Sequence, residues 1–201
     1  MRPFLLPAAA LAIVATLPLH AQSAQRWSIQ ASAIGVSAQG EAYEGLSAGG
    51  GIEAQVRLTP SIWSFGAGFQ FSTHTVDIGG TDEAVTLTGL FIEPRRIIDL
   101  GKNYAPYVSA RLSFLQQAID VPVNGGTVSA TASGTQVNGG GGVLFRMSPR
   151  VNLDLGATYG LINFGDVELS ATGLGSTTIE GTSGSGSNLV LRVGLAIGLG
   201  K

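Results

Sequence analysis

Six charged residues occupy the polar positions of segments in which apolar and polar residues alternate: Glu53, Arg57, Arg111, Arg146, Asp154 and Arg192. Successive side chains of a β-strand point to opposite faces of the sheet, so all six are predicted to lie on the face opposite the apolar one. Two roles suit such a group of buried charges. They form a structural network of ion pairs that neutralises buried charge, or they line an ion-conducting or gating pathway.

A second pair with chemical potential is Ser72 and His74, which share one strand face in the segment Ser72-Thr73-His74-Thr75-Val76-Asp77. A serine becomes a nucleophile when a base, itself held in place by a partner, takes its proton. The spacing alone is a weak signal for such a site. We expect His74 to be a surface loop residue at the outer end of its strand, without a catalytic role.

The long polar segments of the chain carry acidic residues and no lysine or arginine. The acids are Glu41, Glu44, Asp77, Asp82, Glu83, Asp120, Asp166, Glu168 and Glu180. Divalent cations prefer carboxylate ligands and could bridge these acids to an anionic surface, whereas solubility and like-charge repulsion explain them equally well. Because no spacing resembles a dedicated calcium loop, we predict no metal site and no cofactor.

The composition of the 201-residue chain excludes several classes of protein. Charged residues make up 12% and hydrophobic residues 44%, which argues against a disordered polar chain. With no cysteine, the chain has no disulfide, thiolate metal site or cysteine nucleophile. The formal net charge of −2 gives no indication of a nucleic-acid partner.

The first residues have the pattern of a signal peptide. Arg2 supplies the positive charge, Phe4 to Leu19 are mostly apolar, and Ala21 is the small residue at the cleavage site. The apolar stretch is short for a membrane-spanning helix and contains two prolines. We therefore predict a signal peptide over 1–21, with cleavage as late as residue 24 as the alternative, and an exported domain over 22–201.

In the exported domain the apolar residues recur with period two, which is typical of β-strands. In the last segment Leu191, Val193 and Leu195 lie on one face, and Arg192 and Gly194 lie on the other. The same pattern predicts eight strands, over 26–38, 52–58, 63–72, 84–98, 107–114, 135–146, 151–161 and 189–199. In the fourth strand, Val85, Leu87 and Phe91 are assigned to the apolar face. A bulge or the strand end is expected at Glu93-Pro94.

Short and long connections alternate between the predicted strands. Prolines mark the short turns at 59–61, 100–105 and 148–150, since proline presets a turn angle and cannot donate to a strand ladder. The long connections are 39–46, 74–83, 116–132 and 165–187, and the last is a Gly/Ser/Thr-rich tract expected to be mobile. Bacterial membrane barrels have short periplasmic turns and long outer loops, so both chain ends are expected in the periplasm.

The polar face of the strands is mostly Gly, Ser, Thr and Ala, and the whole chain has only Lys102 and Lys201 as lysines. A soluble lipocalin-like carrier would present many charged residues on its solvent face. Small residues and a few charges instead suit the crowded interior of a narrow barrel whose apolar face meets lipid. The fold class predicted is all-β, a closed eight-stranded antiparallel up-and-down transmembrane β-barrel.

This pattern resembles the small outer-membrane β-barrel family, which includes the opacity proteins, the OmpA transmembrane domain and the OmpX-type barrels. Two segments carry the resemblance best, Arg146 to Gly156 and Asn188 to Gly200. Members often end in an aromatic residue that the barrel-assembly machinery recognises, whereas this chain ends Leu199-Gly200-Lys201. The resemblance implies the outer membrane of a Gram-negative-type bacterium, with lipid, lipopolysaccharide and the assembly machinery as partners.

The expected role is structural or adhesive, through surface contacts of the outer loops, in a monomer that is not an enzyme. An eight-stranded barrel is filled by its own side chains, so the barrel-interior charges are interpreted as a structural network. A narrow, porin-like ion or solute channel is the first alternative. An outer-leaflet enzyme that modifies lipid A is less favoured, because the His-x-Ser-Asn arrangement of the deacylases is absent. A soluble lipocalin-like carrier is the last alternative.

Overall fold

The computed structural model describes residues 26–123, 126–171, 175–179 and 184–200. The expected signal peptide lies outside these ranges, so it stays a prediction.

A short 3-10 helix spans Glu41–Tyr43. None of the described residues belongs to a helix that could cross a bilayer. The strands are β1 Trp27–Gln39, β2 Gly49–Leu58, β3 Trp63–Ile78, β4 Thr81–Ile97, β5 Tyr104–Val123, β6 Gly126–Arg146, β7 Val151–Ala171, β8 Gly175–Ile179 and β9 Ser185–Leu199.

Eight of these strands close into a ring in which every neighbouring pair is antiparallel. The order runs from β6 through β5, β4, β3, β2 and β1 to β9 and β7, and β7 pairs back with β6. No edge is left in the ring, so each strand satisfies its backbone polar groups through its neighbours. The predicted closed eight-stranded up-and-down barrel is confirmed.

The apolar face of the strands points outward. In β9, Leu191, Leu195 and Ile197 are each at least half exposed, whereas Arg192 is 4% exposed. Comparable exposed rows of large apolar side chains lie on the other ring strands, including Ile52, Phe69, Leu90, Phe114 and Leu161. A soluble carrier would turn these residues inward, so this orientation excludes the carrier alternative and suits a hydrocarbon environment.

The prediction for β4 was wrong in two respects. Val85, Leu87 and Phe91 face the barrel interior, and the outward residues are Leu90 and Ile92. The strand neither ends nor bulges at Glu93-Pro94, because Pro94 stays in register with Phe65 and β4 continues to Ile97. The error arose because the barrel interior is itself apolar at the end where β4 begins. β4 therefore carries apolar residues on both faces, and alternation alone does not show which face meets lipid.

Three of the predicted long connections are largely β-structure. β3 and β4 pair as far as Ile78 and Thr81, which leaves a two-residue Gly79-Gly80 turn. Both glycines have positive φ, which glycine adopts without steric cost. β5 and β6 pair as far as Val123 and Gly126. In the tract expected to be mobile, β7 continues to Ala171 and β8 pairs with its end. We call this end of the barrel the long-hairpin end and the other the short-turn end.

Candidate functional site

The interior of the barrel near the short-turn end holds a cluster of charged side chains centred on Glu93. Its carboxylate lies 2.5 Å from Arg95 Nε, 2.5 Å from Arg111 Nη2 and 3.1 Å from Arg192 Nη1. All four side chains are at most 3% exposed. A buried carboxylate shared by three guanidinium groups is stabilised only while those partners stay in place.

Two further carboxylates complete the cluster. Glu53 bridges Arg111 at 2.9 Å and Arg192 at 3.0 Å. Asp154 accepts hydrogen bonds from Arg95 Nη1 at 2.9 Å, from the Tyr107 hydroxyl at 2.7 Å and from Gln30 Nε2 at 2.6 Å. These contacts join β1, β2, β4, β5, β7 and β9 across the lumen. They therefore connect strands that are not neighbours in the ring.

Arg57 is held in a different way from the other buried arginines. It donates to Gln55 Oε1 at 2.6 Å, to Ser64 Oγ at 3.0 Å and to the backbone carbonyl of Glu93 at 3.2 Å. Among the described residues no carboxylate forms an ion pair with it. Arg57 therefore brings a positive charge into the interior that only neutral groups contact directly.

Of the six residues singled out in the sequence, four are joined by direct ion pairs, namely Glu53, Arg111, Asp154 and Arg192. Arg57 borders them through the backbone carbonyl of Glu93. Arg146 is the last residue of β6, half-buried and opposite Asn152 at the short-turn end. Whether the cluster is purely structural stays a prediction.

Sequence reasoning missed Glu93 and Arg95, which are 0% and 1% exposed. The misassigned face of β4 placed them outside the predicted interior set. The sequence did contain a signal for the correct face of β4. If Leu90 and Ile92 point outward, the residues at odd positions point inward, and these are Phe91, Glu93 and Arg95. Two charges two residues apart are costly in hydrocarbon, which also favours the inward assignment.

An apolar plug fills the interior near the long-hairpin end. It consists of Tyr43, Val85, Leu87, Leu115, Ile162 and Phe164. Tyr43 belongs to the 3-10 helix and enters the barrel mouth, where its ring meets Phe164 edge-on with centroids 5.9 Å apart. Burial raises the pKa of the Tyr43 phenol, so the ring stays neutral. The first long connection thus folds inward and fills the barrel interior at this end.

His74 is not a surface loop residue, because its side chain is 1% exposed. Its Nδ1 lies 2.9 Å from the backbone carbonyl of Ser47, and its Nε2 lies 3.2 Å from Ser72 Oγ. A carbonyl oxygen only accepts, so His74 Nδ1 is the donor in the contact with Ser47. The arrangement ties the first long connection to β3. Ser72 is 2% exposed, so both members of the pair are enclosed by the barrel.

Glycines on β6 and β7 make room for Tyr107, whose hydroxyl bonds both Asp154 and Arg192. Gly142 and Gly156 are cross-strand partners, and a Cβ on Gly156 would lie 2.6 Å from the Tyr107 hydroxyl. The glycine run at 139–142 therefore borders the charged cluster through Gly142.

We expect Gly156→Ala to destabilise the barrel by about 1–3 kcal/mol, because the new methyl group displaces the Tyr107 hydroxyl from its two partners. Urea unfolding in lipid vesicles measures the change. Gly139→Ala is the matched control, since a Cβ there meets nothing within 4 Å and should change stability by less than about 0.5 kcal/mol. Tyr107→Phe should make the Gly156→Ala substitution less costly, because the clashing oxygen is gone. Equal effects at Gly139 and Gly156 would contradict the packing argument.

Solved structures with the same architecture come from several bacteria. Neisserial surface protein A is 18% identical with a TM-score of 0.59, and the alignment covers 86% of this chain and 97% of that one. The attachment invasion locus protein of Yersinia pestis is 13% identical with a TM-score of 0.50, covering 86% and 99%. A major outer membrane protein from Thermus thermophilus is 15% identical with a TM-score of 0.52, covering 85% and 98%. At these identities the similarity shows the fold alone.

No curated protein matches the chain. A family model does, and it is described as the outer membrane protein beta-barrel domain and matches residues 6–199. The outward apolar face and the closed ring of eight strands agree with that match. The chain therefore belongs to the outer membrane protein β-barrel domain family, and its place is the bacterial outer membrane.

Proposed function

We propose that this protein is a non-conducting outer-membrane barrel that acts through surface contacts of its long hairpins, in a structural or adhesive role. The observation that carries the proposal is the filled interior. Near the short-turn end the lumen is crossed by the ion pairs of Glu53, Glu93 and Asp154, and near the long-hairpin end it holds the plug around Tyr43. Such an interior supports a scaffold better than a channel.

The hairpins supply the contact surface. β7 pairs with β9 only as far as Asn163, yet continues to Ala171 and takes β8 as a new neighbour. β2 pairs with β3 only as far as Thr73, whereas β3 and β4 stay paired beyond that residue, up to the turn at Gly79. The extensions of β3–β4, β5–β6 and β7–β8 form a rim of β-structure beyond the closed ring, which we call the hairpin wall. Long exposed strands on a rigid scaffold are well suited to recognition.

The hairpin wall is acidic. Asp77 and Asp82 are direct cross-strand partners, Asp120 is exposed on β5, and Glu168 is exposed on β7. Within the described ranges, no three acidic or histidine side chains are grouped to hold a metal ion. Charge complementarity therefore favours a cationic partner for this surface, with a contact that weakens as salt increases. The attachment invasion locus protein is a fold neighbour whose name refers to attachment, and that name supports the adhesive role only by analogy.

We expect the purified protein to give no conductance steps in a planar bilayer. Tyr43→Ala, which opens the plug, should also remain silent because the charged cluster still crosses the lumen. A step conductance in the wild type that changes on neutralising Arg111 or Arg192 would instead establish the channel alternative. A gel run with and without boiling gives the control for folding, since a stable barrel migrates differently after heating.

Surface contact is tested by shortening one hairpin. Replacing residues 119–130 with an Asn-Gly turn keeps the β5–β6 ladder up to the pair of Ala118 and Thr131. Cells producing this variant should keep a heat-modifiable barrel and attach less to immobilised polylysine than cells producing the full chain, because the replaced segment carries Asp120 and the other acids remain. Unchanged attachment would remove the β5–β6 hairpin from the contact surface and contradict the proposal as stated.

A further inference from the structure

A small cavity lies inside the barrel at the short-turn end, below the charged cluster. Its volume is about 40 Å³, which is room for a few water-sized groups. The polar side chains around it include Ser28, Gln30, Arg57, Ser64, Arg95 and Asn152. Two of them are buried guanidinium groups, and none is a carboxylate. The lining of the cavity is therefore positively charged; we call the cavity the short-turn vestibule.

The charged cluster above the vestibule is not electrically balanced. Arg57, Arg95, Arg111 and Arg192 are each at most 4% exposed, and within the described part of the chain they face the three carboxylates of Glu53, Glu93 and Asp154. His74 lies at the other end of the barrel, beside Ser47 and Ser72. The cluster thus carries one excess positive charge. An uncompensated charge in a low-dielectric interior is strongly unfavourable, so binding of a counter-ion lowers the free energy of the folded barrel.

Each of the two arginines that line the vestibule can still interact with an anion, one through an N–H group and the other through its charge. Arg95 Nη2 is a buried atom without a hydrogen-bond partner among the described residues, although Nε and Nη1 of the same guanidinium are paired with Glu93 and Asp154. Arg95 is 1% exposed and stacks on the Tyr107 ring at 4.5 Å, so it cannot turn toward bulk water. Arg57, which has no carboxylate partner among the described residues, lines the same cavity. The side chain with an unused donor and the side chain without a carboxylate partner therefore both line the vestibule.

We propose that the short-turn vestibule binds a monovalent inorganic anion of about the size of chloride, held between Arg57 and Arg95. The free N–H of Arg95 donates to the ion, and the ion neutralises the excess charge of the cluster. The vestibule is too small for a lipid headgroup with its glycerol, and a doubly charged oxyanion would reverse the imbalance instead of cancelling it. The anion is thus a structural part of the folded barrel.

The first test measures the thermal unfolding midpoint of the full chain in a zwitterionic detergent at constant sodium. Sodium gluconate, whose anion does not fit the vestibule, is exchanged stepwise for sodium chloride. We expect the midpoint to rise with chloride and to saturate, as binding to one site in the folded state requires. A midpoint that does not respond, or that rises linearly without saturation, would overturn the proposal.

Ser28→Asp supplies a matched variant, because Ser28 is the direct cross-strand partner of Arg57 and lines the vestibule. Its carboxylate replaces the anion, so the chloride response should disappear. Ser28→Asn has nearly the same volume and no charge, and it should keep the response. If both variants lose the response, or both keep it, the ion does not bind beside Arg57.

Crystals grown in bromide give a readout that does not depend on stability. We expect an anomalous peak at hydrogen-bond distance from Arg95 Nη2 in the wild type and in Ser28→Asn, and none in Ser28→Asp. A wild-type map with no peak in the vestibule would overturn the proposal even if chloride raised the midpoint. Should Ser28→Asp fail to fold, the wild-type map still decides.

Discussion

Glu93→Gln is expected to destabilise the barrel by about 3–5 kcal/mol, the usual cost of removing one partner from a buried ion cluster. The glutamine is nearly isosteric, so it creates no cavity and no steric clash. It removes the charge that Arg95, Arg111 and Arg192 share, and it leaves four buried guanidinium groups facing two carboxylates. Urea unfolding in lipid vesicles, followed by the heat-sensitive gel shift, measures the loss.

Two companion variants separate charge loss from other effects. Glu168→Gln removes an exposed acid from the hairpin wall and should change stability by less than about 0.5 kcal/mol. Combining Glu93→Gln with Arg111→Gln removes one charge of each sign, so the double variant should be more stable than the sum of the single losses predicts. Equal stability of Glu93→Gln and wild type would show that Glu93 is not the centre of the cluster.

Leu195→Arg is expected to destabilise the barrel by about 2–4 kcal/mol, the cost of arginine on a lipid face at the bilayer midplane. Leu195 is 50% exposed and lies near the middle of the outward row of β9, between Val193 and Ile197. The substitution leaves the interior untouched, so the loss reports the transfer of a charge into hydrocarbon. Urea unfolding in vesicles measures it.

Ile179→Arg is the control for this experiment. Ile179 is 42% exposed, similar to Leu195, but it belongs to β8, which pairs with the end of β7 beyond the closed ring. The same kind of change should therefore cost less than about 1 kcal/mol, as it does near the membrane interface. If Leu195→Arg and Ile179→Arg were equally harmless, β9 would not turn that face to lipid.

Period-two alternation was sufficient to predict the barrel, because it is a local property that reports directly on two different environments. In β9 and β7, large apolar residues alternate with Gly, Asn and Arg, and the structure has those faces outward and inward as predicted. Proline-marked turns likewise separated the strands correctly at the short-turn end. The long hairpins were underestimated, since exposed strands rich in Thr, Ser and Gly lack an apolar face to reveal them.

Alternation, composition and the turn prolines were enough to predict the fold class, the membrane environment and most of the charges that enter the interior. Val85 and Leu87 by themselves did not reveal which face of β4 is inside, because these side chains are equally stable in an apolar plug and in lipid, and the structure was needed to see the plug. Only the tertiary structure paired Arg192 with Glu53, which are 139 residues apart and meet across the lumen. Alternation fixes the side to which a residue points, whereas register and closure of the ring decide which residue it meets there.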